Sequence, residues 1–201
     1  KDMPILGAGL SPRVPIDSAE LVFAGVPRGS DYLLGIIANG VQNEIKVYVA
    51  PLAALGKPDI PWTRVADNSD DVTDLAVQGN TAYLLSHKDA SRFKVLKLSL
   101  ADPDIATAEV VIAPGESVIT GIAAAKDALY VRKMNGGVSE LARLTYAPGA
   151  RAEAIKLPFQ GDIDSLVADP EVAGVLFDAG AWTRFGGLFA YNPTTRKVTD
   201  T

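Results

Sequence analysis

The sequence predicts an all-β protein, a β-propeller built of four-stranded antiparallel blades, and three observations predict it. A two-strand template running from Val72 to Leu85 is written again from Ile119 to Arg132 and once more from Ile163 to Phe177. The copies are spaced by about 45 to 50 residues, which is the range of propeller blades. Short alternating apolar runs are separated by 13 Pro and 18 Gly at near-regular intervals, as many short strands with many turns require. A β-sandwich also strings short strands at regular spacing, but it gives no reason for an inner hairpin to recur at blade length.

Residues 1–20 hold Met3-Pro4, Gly7-Ala8-Gly9, Pro12 and Pro15 without period and read as an irregular leading segment. Four blades follow, at approximately 21–71, 72–118, 119–162 and 163–201. Within the template, Val72, Ile119 and Ile163 lead, Leu75, Ile122 and Leu166 come three places on, and Asn80, Asp127 and Glu171 mark a polar turn. A fainter first copy sets Leu21 to Val26 against Tyr32 to Ile37 across the turn Arg28 to Asp31. The first strand of each copy is small and apolar, with Ala76, Ala123, Ala124 and Ala168, as a strand crowded near a central axis should be.

Third strands read as Ile45 to Ala50, Phe93 to Leu100, Ser139 to Tyr146 and Gly187 to Tyr191. Pro51, Pro103, Pro148 and Pro193 end them, since proline cannot donate to a ladder. Asn39-Gly40 and Asn135-Gly136 read as turns between second and third strands, because this dipeptide tolerates positive φ at a hairpin. The fourth strands, Trp62 to Ala66, Ala108 to Ala113, Ala152 to Leu157 and Arg196 to Val198, are shorter and more polar, which blunts an outer edge. Four blades fall short of the number propellers commonly use, so the chain is either a small closed ring or an arc cut from a larger one. Such an arc would expose an apolar sheet face at each end, inviting partner chains or self-association.

Composition removes several function classes. A net charge of −5 with no basic block argues against nucleic acid, whose phosphates need clustered Lys and Arg. No apolar run approaches the ~18 residues that span a bilayer, so no membrane partner is expected. Zero cysteine leaves no disulfide, Cys-ligated zinc or thiol nucleophile, and fits cytosol and periplasm equally.

No cofactor, metal or catalytic residue is assigned from the sequence. No serine stands in Gly-x-Ser-x-Gly; Gly115-Glu116-Ser117-Val118-Ile119 comes nearest and lacks the second glycine. His87 is the single histidine and reads as a solvated loop residue. Asp67, Asp70 and Asp71 share one loop, without the glycine turn and terminal Glu of a calcium frame. Asp162 and Asp164 flank Ile163 at the start of an inner strand, so they point to the same side, either to line the mouth of a channel or to cap the strand. Gly7-Ala8-Gly9 lacks the strand and helix that frame a phosphate loop. Trp182, Phe185, Phe189 and Tyr191 form the densest aromatic group, expected in the core, with a peptide contact open to any ring on a loop facing a cavity.

The run Ile60-Pro61-Trp62-Thr63-Arg64-Val65-Ala66-Asp67-Asn68, the third-strand pattern, and Trp182-Thr183-Arg184-Phe185 with Phe189-Ala190-Tyr191-Asn192-Pro193 resemble the later propeller blades of prolyl oligopeptidases. Phe185 stands where the family places a proline, and Asn192 where it places an aspartate. The resemblance covers Leu21 to Thr201. It implies a serine peptidase in which a seven-bladed propeller covers an α/β-hydrolase domain and limits access to short proline-containing peptides. The catalytic triad would then lie outside this chain, whose partners would be the remaining blades, that domain and short peptides. An independent scaffold propeller and a small metal-dependent propeller hydrolase are the two other readings.

Overall fold

A computed structural model describes residues 4–201, so Met3 of the Met3-Pro4 pair lies outside the described residues. Among the described residues, alternating apolar runs fold into sixteen strands in four antiparallel sheets, each a meander in which sequence neighbours pair. Sheet 1 comprises β1 (Glu20–Gly25), β2 (Tyr32–Asn39), β3 (Ile45–Pro51) and β4 (Thr63–Ala66). Sheet 2 comprises β5 (Val72–Gln78), β6 (Thr81–Ser86), β7 (Lys94–Ser99) and β8 (Glu109–Ile112). Sheet 3 comprises β9 (Val118–Ala124), β10 (Ala128–Asn135), β11 (Val138–Thr145) and β12 (Glu153–Ile155). Sheet 4 comprises β13 (Asp162–Val167), β14 (Val175–Ala181), β15 (Arg184–Asn192) and β16 (Lys197–Asp200). The expected all-β architecture of four-stranded propeller blades is what forms. Among the described residues, no helix is long and apolar enough to cross a membrane.

The chain divides into two compact units, the first holding sheets 1 and 2 and the second sheets 3 and 4. In the first unit Val47, Val49 and Val65 of sheet 1 pack on Val72, Leu84, Leu96 and Leu98 of sheet 2. In the second, Tyr130 and Leu141 of sheet 3 pack on Ile163, Val175, Phe177 and Phe189 of sheet 4. Phe177 stacks on Phe189 with centroids 5.8 Å apart, and Tyr130 meets Tyr191 edge-on at 5.9 Å. The leading template residues Val72, Ile119 and Ile163 are all buried, Val72 in the first of these cores and Ile163 in the second.

One residue after each of them the ladder slips. Val72 faces Ser86 but Asp74 faces Leu85, Ile119 faces Lys133 but Gly121 faces Arg132, and Ile163 faces Ala179 but Ser165 faces Asp178. Thr73, Thr120 and Asp164 are therefore the extra residues of three equivalent β-bulges, which bend the strand and raise its twist. β1 pairs with β2 without interruption.

Several local expectations shift. Asn135 still pairs, with Val138, so Gly136 and Gly137 form the hairpin apex, with φ of 56° and 81°, the two positive values such a turn needs. Asn39 also stays in register, opposite Glu20, and its Oδ1 accepts the Val41 N–H at 3.2 Å, which opens a longer loop to Ile45. Pro51 is the last residue of β3, at a position where a missing donor breaks no interior bond. Phe93 and Arg196 adopt positive φ and stay outside their strands.

The leading segment packs. Val14, with Ile5, Leu6 and Ile16 partly buried beside it, covers Leu33, Ile37, Tyr48 and Trp62, and the Trp62 indole N–H donates to the Ile5 carbonyl at 3.2 Å. A Cβ on Gly35 would lie 2.7 Å from Leu6 Cδ2, so the fit is close. One face of sheet 1, expected to be bare, is therefore covered by the chain itself. On sheet 4 the face carrying Val167, Leu176 and Leu188 is exposed.

Candidate functional site

Most of the polar residues singled out from the sequence hold backbone in place. Asp67 caps the 3-10 turn Asn68–Asp70, accepting the Ser69 N–H at 2.8 Å and the Ser69 hydroxyl at 2.7 Å, while Asp70 Oδ2 accepts the Asp67 N–H. The Ser69 hydroxyl and N–H hold the Asp67 carboxyl below its ordinary value. Asp70 also takes an ion pair from Lys88 at 3.1 Å, and Asp71 turns the chain with φ of 51°. The loop is a capping box that enters β5.

His87 is not simply solvated. Its N–H donates to the Asp71 carbonyl and its Nε2 lies 2.9 Å from Glu44 Oε1, tying the β6–β7 loop to the β2–β3 loop within the first unit. The imidazole's hydrogen bond is the main reason the Glu44 carboxyl sits below its usual range. Ser117 Oγ donates to Glu140 at 2.9 Å ahead of β9, with no histidine beside it. Gly7 closes a turn by accepting the Leu10 N–H.

Asp162 and Asp164 do different work, because the bulge separates them. Asp162 accepts the buried Ser139 hydroxyl at 2.6 Å, and that oxygen in turn accepts the Ile163 N–H. Asp164 lines a recess of about 770 Å³ with Asp178, Trp182 and Phe185. The aromatic group also divides. Phe189 and Tyr191 are core, whereas Trp182 and Phe185 are fully exposed, because Ala181 pairs with Arg184 and puts Trp182-Thr183 at the hairpin apex. Arg184 covers the Phe159 ring at 4.6 Å.

Two polar networks were not legible in the sequence. Asp127 accepts from Gly174 N–H at 2.8 Å, Arg143 Nε at 2.9 Å and the Tyr130 hydroxyl at 3.0 Å, joining the turns of sheets 3 and 4. Burial pushes the Asp127 carboxyl up, but these donors outweigh it and hold it below its ordinary value. Burial and the Asp127 charge push the Tyr130 phenol up. Arg132 donates to the carbonyls of Thr120, Ile163 and Asp164, spanning β9 and β13. The signal for the first network was the polar column at Asn80, Asp127 and Glu171; Asn80 likewise accepts the Asp31 N–H at 2.9 Å from the neighbouring sheet.

The first unit holds a groove of about 500 Å³ between β1–β2 and β5, lined by Phe23, Leu34, Ile36, Ile45, Leu75 and Val77 with Asp74 beside them. Among the described residues, no group of three or more His, Cys, Asp or Glu converges to hold a metal. What the arrangement offers chemically is apolar and aromatic contact surface edged by single carboxylates.

Residues 16–200 match the family model described as prolyl oligopeptidase, N-terminal β-propeller domain. The fold is similar to that of a prolyl endopeptidase (TM-score 0.75, 17% identity, covering 94% of this chain and 27% of that one). It is also similar to prolyl oligopeptidase B from Galerina marginata (TM-score 0.73, 15% identity, 90% and 26% covered). Oligopeptidase B from Leishmania major matches with a TM-score of 0.69 at 14% identity, 92% and 27% covered. The chain thus spans about a quarter of the length of these structures. No curated protein sequence matches it.

Proposed function

This chain belongs to the prolyl oligopeptidase N-terminal β-propeller family, and on that premise we propose that it is the non-catalytic propeller portion of a serine peptidase. In this reading it gates the access of short, proline-containing peptides to a separate α/β-hydrolase domain. The observation that carries the reading is the extent of the family match, which takes in all four sheets and is to the propeller. The similarity to peptidases about four times longer supports it. The partners are the hydrolase domain and further blades, and the exposed Val167, Leu176 and Leu188 face of sheet 4 is apolar surface on which another blade can pack. The contribution is steric: rigid sheets bound an opening that admits a narrow chain and excludes a folded domain.

The test is a ladder of fluorogenic proline-containing peptides of increasing length, cleaved by a polypeptide that carries this segment with the hydrolase domain and by the same polypeptide without it. Removing the segment should leave short peptides cleaved and bring long ones up to the same rate. A length preference that survives removal overturns the reading.

A further inference from the structure

The bulges fix a register in which sheets 3 and 4 match residue by residue. After the slip Gly121 faces Arg132 in sheet 3, and Ser165 faces Asp178 in sheet 4. Counted from there, Ala123, Tyr130 and Leu141 of sheet 3 hold the places of Val167, Leu176 and Leu188 of sheet 4. Tyr130 and Leu141 are buried against sheet 4, whereas Leu176 and Leu188 are 39% and 41% exposed and Val167 58%. The bare face of sheet 4 is therefore the face that sheet 3 turns toward the sheet after it.

At the bulge the two sheets differ in sign. Arg132 reaches forward from sheet 3 to the Ile163 and Asp164 carbonyls on the first strand of sheet 4. Asp178 stands in its place on sheet 4, and an ionised carboxylate only accepts. It cannot bond the carbonyls of a following sheet, so the donor has to come from that sheet. Within the chain Asp178 takes the Ser165 hydroxyl at 2.9 Å, which uses one of about four lone-pair sites. Its side of the strand opens on the 770 Å³ recess, beside Asp164 and the fully exposed Trp182 and Phe185. Arg184, the cation in that lining, is stacked over the Phe159 ring. Carboxylates edged by aromatic faces suit a guanidinium, which grips a carboxylate as a bidentate fork and stacks on a ring.

We propose that the bare face of sheet 4 is the docking surface for a following four-stranded sheet, and that this sheet sends an arginine back into the recess to pair with Asp178. The apolar residues supply the contact area, and the reversed charge selects which sheet fits. A second copy of the chain fits less well. The outer face of sheet 1 is already covered by Ile5, Leu6 and Val14, and a two-fold pairing of sheet 4 with itself puts the Asp164 and Asp178 carboxylates of both copies into one interface. The inference rests on the propeller-portion reading above and adds the chemistry by which the next sheet is recognised.

The chain has no cysteine, so Val167→Cys puts a single thiol of this segment on the face, and its reaction with iodoacetamide is followed by peptide mass spectrometry. The 201-residue chain is compared with the polypeptide that carries this segment together with the hydrolase domain. The thiol should react about tenfold or more slowly in the longer polypeptide, where the following sheet covers it. Adding Asp178→Asn should raise that slow rate about tenfold, because the incoming guanidinium loses its counter-charge, and should leave the rate in the 201-residue chain unchanged. Asparagine keeps an acceptor oxygen, so a backbone N–H donor would tolerate the change where an arginine does not. Asp178→Glu, which keeps the charge, should retain part of the protection. Equal labelling of the two polypeptides overturns the proposal, as does an Asp178→Asn variant of the longer one that labels as slowly as its parent. Slow, concentration-dependent labelling of the 201-residue chain makes a second copy the occupant and overturns it too. Thr199→Cys, which shares the face through its pairing with Ala190, decides the question if Val167→Cys fails to fold. No peptide is cleaved in this assay, so its failure is distinct from a failure of the length ladder.

Discussion

Removing the Asp127 carboxylate should cost the second unit a large share of its stability. The carboxylate accepts from Gly174, Arg143 and Tyr130, and the Asp127 and Arg143 side chains are 16% and 18% exposed. Asp127→Ala leaves a mostly buried guanidinium without its counter-charge, which costs about 3 kcal/mol, the low end of the range for a broken buried pair because some solvent reaches both groups. At about 2–4 °C per kcal/mol for a chain of this size, the melting temperature should fall by roughly 6–12 °C. Circular dichroism melts of wild type and Asp127→Ala across pH provide the assay. Because the folded carboxyl is held below its ordinary value, its contribution is complete above the unfolded value near 4 and is lost as pH falls through the folded value. The gap between the two proteins should therefore be constant from neutrality down to about pH 5 and narrow in acid. Adding Arg143→Met to Asp127→Ala should recover part of the loss, since the orphaned charge is then gone. A gap below about 0.5 kcal/mol at pH 7, or one that does not narrow in acid, refutes this reasoning.

Two further outcomes follow from packing. Gly174 has φ of 98° and a Cβ there would meet the Tyr191 carbonyl oxygen, so Gly174→Ala should cost about 2 kcal/mol or more in urea denaturation, whereas Gly115→Ala, with open space, should stay within about 0.5 kcal/mol. Trp62→Phe removes the donor to the Ile5 carbonyl and should cost about 1 kcal/mol, read as faster protease cleavage between residues 4 and 16 with little change in the melting of sheets 2 to 4.

The hairpin columns were legible because Val72, Ile119 and Ile163 head alternating runs at blade spacing, and alternation is a backbone period of two. The bulges were not, since an extra residue in a ladder changes register without changing composition; the one trace is that polar Thr73, Thr120 and Asp164 each follow the apolar lead. The same blindness to register moved the third hairpin's apex from Asn135-Gly136 to Gly136-Gly137 and divided the aromatic group, placing Trp182 at an apex and Phe189 in the core. Ile5, Leu6, Val14 and Ile16 have no period, so their fit on sheet 1 is a tertiary fact with no local signature. The His87–Glu44 contact joins residues far apart in sequence, and neither loop carries a cue for the other. On the functional side, the closing Trp182 to Pro193 run and the Ile60 to Asn68 run carried the family resemblance.

The account depends on Val72, Ile119 and Ile163 being the same position of one repeated blade. The direct test is the unfolding free energy of Val72→Ala, Ile119→Ala and Ile163→Ala set beside Thr73→Ala and Asp164→Asn at the bulges that follow. Each of the three leads should cost about 2–4 kcal/mol, and each bulge substitution should remain within about 0.5 kcal/mol. A lead residue whose truncation costs no more than its neighbouring bulge would contradict the repeat, and with it the propeller reading.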